Sequence, residues 1–213
     1  MTELFDRLAK EKVVAIIRGI PDEAGDKTAE ALVEGGIVFL EVTMNTPGAL
    51  SMITRFRKRY EGRLRIGAGT VLNDQMARDA VNAGAEYLIS PNLDEAMVRY
   101  GQAAGLEVWP GTMTPTEIVR AHQLGVSAVK VFPMGSLGLS YLKEIRAPLA
   151  HVPMMVTGGV TLDNIQDFLK AGAFAVGIGG NLVSKQLIAN GDFKQMEDVA
   201  RQFVSRAKGV TTA

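Results

Sequence analysis

Apolar residues in this chain fall into short, evenly spaced runs separated by longer amphipathic stretches. Eight β-rich runs recur at 13–18, 38–43, 64–70, 87–91, 107–110, 128–133, 154–157 and 175–179. Between and after them, apolar positions repeat at helical spacing over 23–34, 47–60, 74–83, 93–104, 115–124, 139–147, 162–171 and 193–207, the pattern of helices with one buried face. Gly35-Gly36, Gly84, Gly105, Gly125 and Gly172 each stand just before a new run, where glycine ends a helix. The unit is a strand followed by a helix, repeated every 20–27 residues or so. Eight such units with right-handed crossovers in one short chain predict an α/β fold, a (β/α)8 TIM barrel in a single domain spanning 1–213. The alternative is an open doubly wound sheet; against it, Arg18-Gly19-Ile20-Pro21 follows the first run where a G-x-G-x-x-G turn would be needed. Residues 3–11 carry Leu4, Phe5 and Leu8 on one helical face and predict a short N-terminal helix over one mouth of the barrel.

Composition narrows the function classes. Of 213 residues, 47% are apolar, 22% charged and 6% aromatic, an ordinary globular balance whose length supports a full core. The chain has no cysteine, which excludes disulfides, thiolate metal sites and thiol nucleophiles. Basic and acidic residues number 23 each, so no global field recruits nucleic acid or an anionic membrane. The longest apolar run is Val13-Val14-Ala15-Ile16-Ile17, far short of the roughly 18 residues of a spanning helix. The mixed-charge start Met1-Thr2-Glu3-Leu4-Phe5-Asp6-Arg7 lacks an apolar signal region, so the expected location is cytoplasmic.

Charges inside strands are the informative exceptions, because parallel barrel strands are buried on both faces. Lys130 interrupts Ala128-Val129-Lys130-Val131-Phe132-Pro133, Glu41 interrupts Phe39-Leu40-Glu41-Val42-Thr43, and Arg18 ends the first run. If the flanking valines and leucine face the helices, strand alternation turns Lys130 and Glu41 into the barrel. A desolvated lysine there has a lowered pKa and supplies the neutral amine that attacks a carbonyl, and a neighbouring carboxylate moves protons. A structural ion pair is the competing reading. For Arg18, anion binding at a strand end and a salt bridge to a loop carboxylate both remain open.

Glycines follow the last two strands, in Thr157-Gly158-Gly159-Val160 and in Gly177-Ile178-Gly179-Gly180-Asn181. Barrel enzymes bind phosphate on backbone N–H groups at these two loops, although tight turns alone also use glycine. Thr70, Ser90-Pro91-Asn92 and Pro110-Gly111-Thr112 bring hydroxyls and free amides to other strand ends, where they can hold a carboxylate. Thr43 shares the inward face of Glu41, or serves as an ordinary β-branched strand residue. Neither histidine, His122 or His151, stands at a strand end, and no carboxylate cluster has ligand spacing, so no metal is expected.

In order along nearly the whole chain, Ile17-Arg18, Glu41-Val42-Thr43, Gly67-Ala68-Gly69-Thr70-Val71-Leu72, Ser90-Pro91-Asn92, Pro110-Gly111-Thr112-Met113-Thr114-Pro115, Lys130-Val131-Phe132-Pro133 and Thr157-Gly158-Gly159 carry a resemblance. They are similar to the 2-keto-3-deoxy-6-phosphogluconate (KDPG) and 4-hydroxy-2-oxoglutarate (KHG) aldolases. The resemblance implies a homotrimeric (β/α)8 barrel and a class I aldolase that needs neither metal nor cofactor. It implies release of pyruvate with glyceraldehyde 3-phosphate, or with glyoxylate from the shorter substrate. Lys130 then matches the Schiff-base lysine and Glu41 the general acid/base, which works with a water. Thr70 and Thr157 match residues around the pyruvate moiety, and Gly158, Gly159, Gly179 and Gly180 the phosphate end. Arg18, Thr43, Asn45, Pro91 and Asn181 complete the substrate-binding candidates.

Two positions depart from the family pattern. Asn45 stands where many members have a substrate-binding arginine, and Asn181 where some have serine. Asn45 with the nearby Pro47 resembles the branch acting on the galactonate epimer, whereas Thr157 resembles the gluconate branch. Two rival functions stay open beside the aldolase: a phosphosugar isomerase or epimerase on the same barrel, and a binding protein with Lys130 and Glu41 as a core pair.

Overall fold

The protein is described by a computed structural model over residues 2–209; Met1 and residues 210–213 of the expected domain lie outside that span. Strands β1 (Val13–Ile17), β2 (Phe39–Thr43), β3 (Arg65–Gly69), β4 (Tyr87–Ile89), β5 (Glu107–Trp109), β6 (Gly111–Thr112), β7 (Val129–Val131), β8 (Met154–Thr157) and β9 (Ala175–Ile178) pair in parallel. Helix α1 (Glu3–Glu11) precedes them. Helices α2 (Asp22–Glu34), α3 (Ala49–Arg59), α4 (Asp74–Asn82), α5 (Glu95–Ala103), α6 (Pro115–Gln123), α7 (Met134–Arg146), α8 (Ile165–Lys170), α9 (Lys185–Asn190) and α10 (Phe193–Lys208) make the crossovers and the outer layer. No helix among the described residues is long and apolar enough to cross a membrane.

The strand order β5-β4-β3-β2-β1-β9-β8-β7-β6 closes through the chain itself. β5 is bonded to β4 and β6 to β7, with Pro110 between them. Proline has no N–H for the ladder, so the expected strand 107–110 breaks into two halves of one barrel position; Pro110 O still accepts from Lys130 N at 2.9 Å. The eight-strand barrel expected from the sequence is therefore present with its fifth strand interrupted.

Local chemistry sets the helix ends. Thr114 and Glu117 form a reciprocal capping box with Pro115 in the first turn of α6, while the side chains of Asn73, Asp94 and Ser184 cap α4, α5 and α9. Helix α7 starts at Met134, ahead of the expected 139, and is broken at Gly138, whose φ is 77°. Helix α8 starts at Ile165, later than the expected 162, because Thr161 N donates to Asn164 Oδ1 at 2.8 Å in a preceding turn.

Alternation along each strand divides two cores. Leu40, Val42, Val129 and Val131 point outward and pack with helix residues such as Ile53, Phe56 and Leu142. Phe39, Tyr87, Ile89, Trp109, Ala128, Met155 and Ala175 fill the lower barrel, and Phe5 and Leu8 of α1 close it from below. Tyr87 and Trp109 lie 4.8 Å apart by ring centroids, and Phe5 stacks on Phe174 at 4.5 Å. A Cβ at residue 67 would overlap the Tyr87 ring, so glycine on β3 admits this aromatic floor. Each fully buried large side chain contributes about 1.5–3 kcal/mol, so this aromatic floor is a main contributor to the stability of the lower barrel.

Candidate active site

Directly above the aromatic floor, β2 and β7 turn their charged residues inward. Lys130 is 1% exposed and Glu41 0%, and Lys130 Nζ stands 3.9 Å from Glu41 Oε1. They face each other at ion-pair range without a hydrogen bond, and neither Glu41 oxygen has a hydrogen-bond partner among the described residues. Burial pulls the Lys130 pKa below that of an ordinary lysine, Glu41 pulls it back up, and the Arg18 guanidinium pushes it down again. The net direction favours the neutral, nucleophilic amine.

The pair lies under a cavity of about 520 Å³ at the C-terminal ends of the strands. Ile16, the register partner of Glu41, lines it, as do Phe132 and Thr157, each two residues beyond the Lys130–Met155 register pair. Lys130 Nζ is 5.4 Å from the centre of the Phe132 ring. Thr157 Oγ1 is buried without a hydrogen-bond partner among the described residues, facing Gly177, where a side chain would crowd it. Gly158, Gly159, Gly179, Gly180 and Asn181 form the outer wall, and the charged lining residues are Arg18 and Lys185. Gly158 and Gly159 have φ of 96° and 69°, open to glycine. At Gly179 and Gly180 nothing lies within 4 Å of the place a Cβ would take, so their bare backbone faces open space.

The chain as a whole has counterparts among known proteins. The family model for KDPG and KHG aldolase matches residues 4–199. The chain belongs to the KDPG/KHG aldolase family. It is an aldolase, a carbon–carbon lyase. A 2-dehydro-3-deoxy-phosphogluconate aldolase of Treponema pallidum is 33% identical over 204 residues, covering 95% of this chain and 96% of the relative. A 2-dehydro-3-deoxy-6-phosphogalactonate aldolase of Escherichia coli is 32% identical over 175 residues, covering 81% and 85%. Among solved structures, KDPG aldolase from Legionella pneumophila, with pyruvate captured as a covalent carbinolamine, superposes with a TM-score of 0.87 at 29% identity, covering 94% of this chain and 97% of that one.

Within this aldolase the other candidates separate. Thr43 Oγ1 and Thr46 Oγ1 share a hydrogen bond at 2.9 Å, and Thr46 Oγ1 accepts from Gly19 N at 2.9 Å, tying the loop after β2 to the loop that carries Arg18. Thr43 is thereby buried in a connecting network and does not line the cavity. Thr70 adopts φ 57°, a left-handed conformation that costs a β-branched residue strain and marks a locally over-determined strand end. Pro91 is half-buried, packed where a side chain on Gly111 would overlap its backbone. Asn45 is exposed and lies outside the cavity wall. Asn181 Nδ2 donates to Val160 O at 2.7 Å, so its amide ties the loops after β8 and β9 together. His122 and His151 come within 5.2 Å of each other, and no group of three metal-ligating side chains occurs among the described residues. Lys185 is a lining residue that the sequence pattern does not single out. It opens α9, a six-residue helix too short for periodicity to reveal.

Proposed function

We propose that the protein is a cytoplasmic class I aldolase that cleaves 2-dehydro-3-deoxy-6-phosphogluconate to pyruvate and glyceraldehyde 3-phosphate, with 4-hydroxy-2-oxoglutarate, giving pyruvate and glyoxylate, as a further substrate. The observation that carries this reading is the buried Lys130 amine facing the buried carboxylate of Glu41 at 3.9 Å.

The neutral amine attacks the C2 ketone to give a carbinolamine, which loses water to form an iminium. Glu41 accepts the C4 hydroxyl proton as the C3–C4 bond breaks; the bond electrons enter the iminium to make an enamine, and the aldehyde leaves. The enamine is protonated at C3, and water hydrolyses the resulting pyruvyl iminium to free pyruvate and the Lys130 amine. Buried Thr157 Oγ1 supports the reacting part of the substrate, and Gly158, Gly159, Gly179 and Gly180 receive its phosphate end. Thr70, Pro91, Thr43 and Asn45 shape the loops around this opening.

The galactonate epimer is the second substrate reading, supported by Asn45 with Pro47 and by the phosphogalactonate aldolase relative. Kinetics with both epimers decide between them. An isomerase or epimerase on the same barrel forms no imine. We also infer assembly as a homotrimer: Leu50, Leu72 and Met113 expose large apolar side chains after three strand positions on the C-terminal side of the barrel, a surface suited to a second copy.

The test is incubation with pyruvate and borohydride, followed by intact mass and peptide mapping. A reduced pyruvyl adduct on Lys130, absent from Lys130→Ala, is expected. No adduct under conditions that trap a known class I aldolase overturns the reading.

A further inference from the structure

We infer that Lys185 sets selectivity for a phosphorylated substrate, by closing with Arg18 a two-cation clamp over the distal phosphate. This rests on the aldolase reading, which fixes the keto-acid end at Lys130. The reacting carbon must lie at the buried amine, so the remainder of the substrate extends outward to the cavity mouth. Arg18 and Lys185 both line that mouth, and no acidic side chain does. Neither cation has a carboxylate partner among the described residues, and for Arg18 this stands out in a chain whose other arginines mostly pair with carboxylates, as Arg55, Arg59 and Arg120 do.

Two loops bring the cations together. A Cβ on Gly19 would stand 3.1 Å from Lys185 Nζ, so the amine reaches from α9 across to the residue that follows Arg18. Gly19 has φ 59°; its lack of a side chain serves both the turn and the approach of the amine. On the opposite side, Gly179 and Gly180 present open backbone. The Asn181 amide is occupied with Val160 O, which leaves the charged donors at the mouth to the two cations. A phosphate monoester carries close to two negative charges at neutral pH, matching Arg18 plus Lys185; Arg18 supplies a planar fork and Lys185 a mobile point charge. A substrate ending in a neutral hydroxyl gains nothing from the second cation.

The experiment compares cleavage of 2-dehydro-3-deoxy-6-phosphogluconate with that of its unphosphorylated counterpart in wild type, Lys185→Met and Lys185→Arg, with pyruvate–borohydride trapping on the same proteins. Lys185→Met is expected to raise KM for the phosphorylated substrate about tenfold, the scale of one lost charged hydrogen bond, while kcat and the unphosphorylated reaction stay within about twofold. Lys185→Arg is expected to restore most of the discrimination. An unchanged ratio between the two substrates in Lys185→Met, or a parallel loss on both, overturns the role of Lys185 even when trapping succeeds. Absence of trapping in the wild type instead overturns the aldolase reading itself.

Discussion

The carboxylate of Glu41 occupies the space that a side chain on Gly69 would fill: a Cβ at residue 69 would overlap Oε1. Gly69 pairs in register with Thr43, two residues beyond Glu41, so β3 gives up a side chain to let the carboxylate lie across it toward Lys130. Gly69→Ala is expected to displace Glu41 and reduce cleavage roughly a hundredfold, the scale of a 1 Å misplacement of a catalytic group, with pyruvate trapping on Lys130 retained. Cleavage within a few-fold of wild type would show that the carboxylate has room elsewhere.

The acid–base pair makes opposite pH predictions for its two charged neighbours. Glu41 raises the Lys130 pKa and Arg18 lowers it, against a background of burial that lowers it most. Glu41→Gln is therefore expected to move the pH midpoint of pyruvate trapping downward, and Arg18→Ala upward. Turnover in Glu41→Gln is expected to fall by about 10²–10⁴, the contribution of a general acid/base, if Glu41 plays the proposed role. Shifts in the same direction for both variants would separate trapping from the Lys130 charge.

The same burial carries a stability penalty. With its folded pKa lowered, Lys130 binds a proton more readily in the unfolded chain, so stability rises with pH between the folded and the ordinary lysine pKa and the full penalty applies below both. Replacing both members, as Lys130→Met with Glu41→Gln, removes the buried charges together and is expected to raise stability at neutral pH by roughly 1–4 kcal/mol, while abolishing imine formation. Urea unfolding of the double variant checks the sign; a loss of stability would assign the pair a structural role.

Thr157 offers a single-atom version of that trade. Its Oγ1 is buried without a partner, so the isosteric Thr157→Val removes an unsatisfied group, and stability is expected to stay level or rise by about 1 kcal/mol. Cleavage is expected to fall about tenfold, because Thr157 lines the cavity two residues above the Lys130–Met155 register pair. A Thr157→Val enzyme that is less stable yet fully active would reverse the assignment.

Phe5 tests the floor. It is 5% exposed and stacked on Phe174, and Phe5→Ala is expected to cost about 3–5 kcal/mol, read as a lower urea midpoint with little change in KM. A large change in KM instead would couple the floor to the substrate site.

Much of this arrangement is legible in the chain itself. The inward face of β2 and β7 follows from period-two alternation, and α1 spans the expected residues 3–11. Element boundaries shift where backbone chemistry intervenes, as in the strand at Pro110, which lacks an N–H, and in helix α7, which Gly138 breaks. The 3.9 Å separation of Lys130 and Glu41 is a property of barrel closure and of Gly69, which spacing along the chain does not encode. The left-handed Thr70 contradicts the preference of its own residue type. Lys185 is hidden for another reason: a lysine opening a two-turn surface helix looks like solvated decoration until the loop of Gly19 is placed beneath it.

Because α1 and its aromatic neighbours cork the lower end of the barrel, the substrate cavity among the described residues opens at the upper end. The two products share that exit in a queue. On the proposed imine mechanism the aldehyde stands nearest the outlet and departs first, while pyruvate, held on Lys130 until hydrolysis, leaves last. Added pyruvate is then expected to compete with substrate for the empty enzyme, whereas added aldehyde is expected to react with the enamine formed from pyruvate or during turnover, driving carbon–carbon bond synthesis.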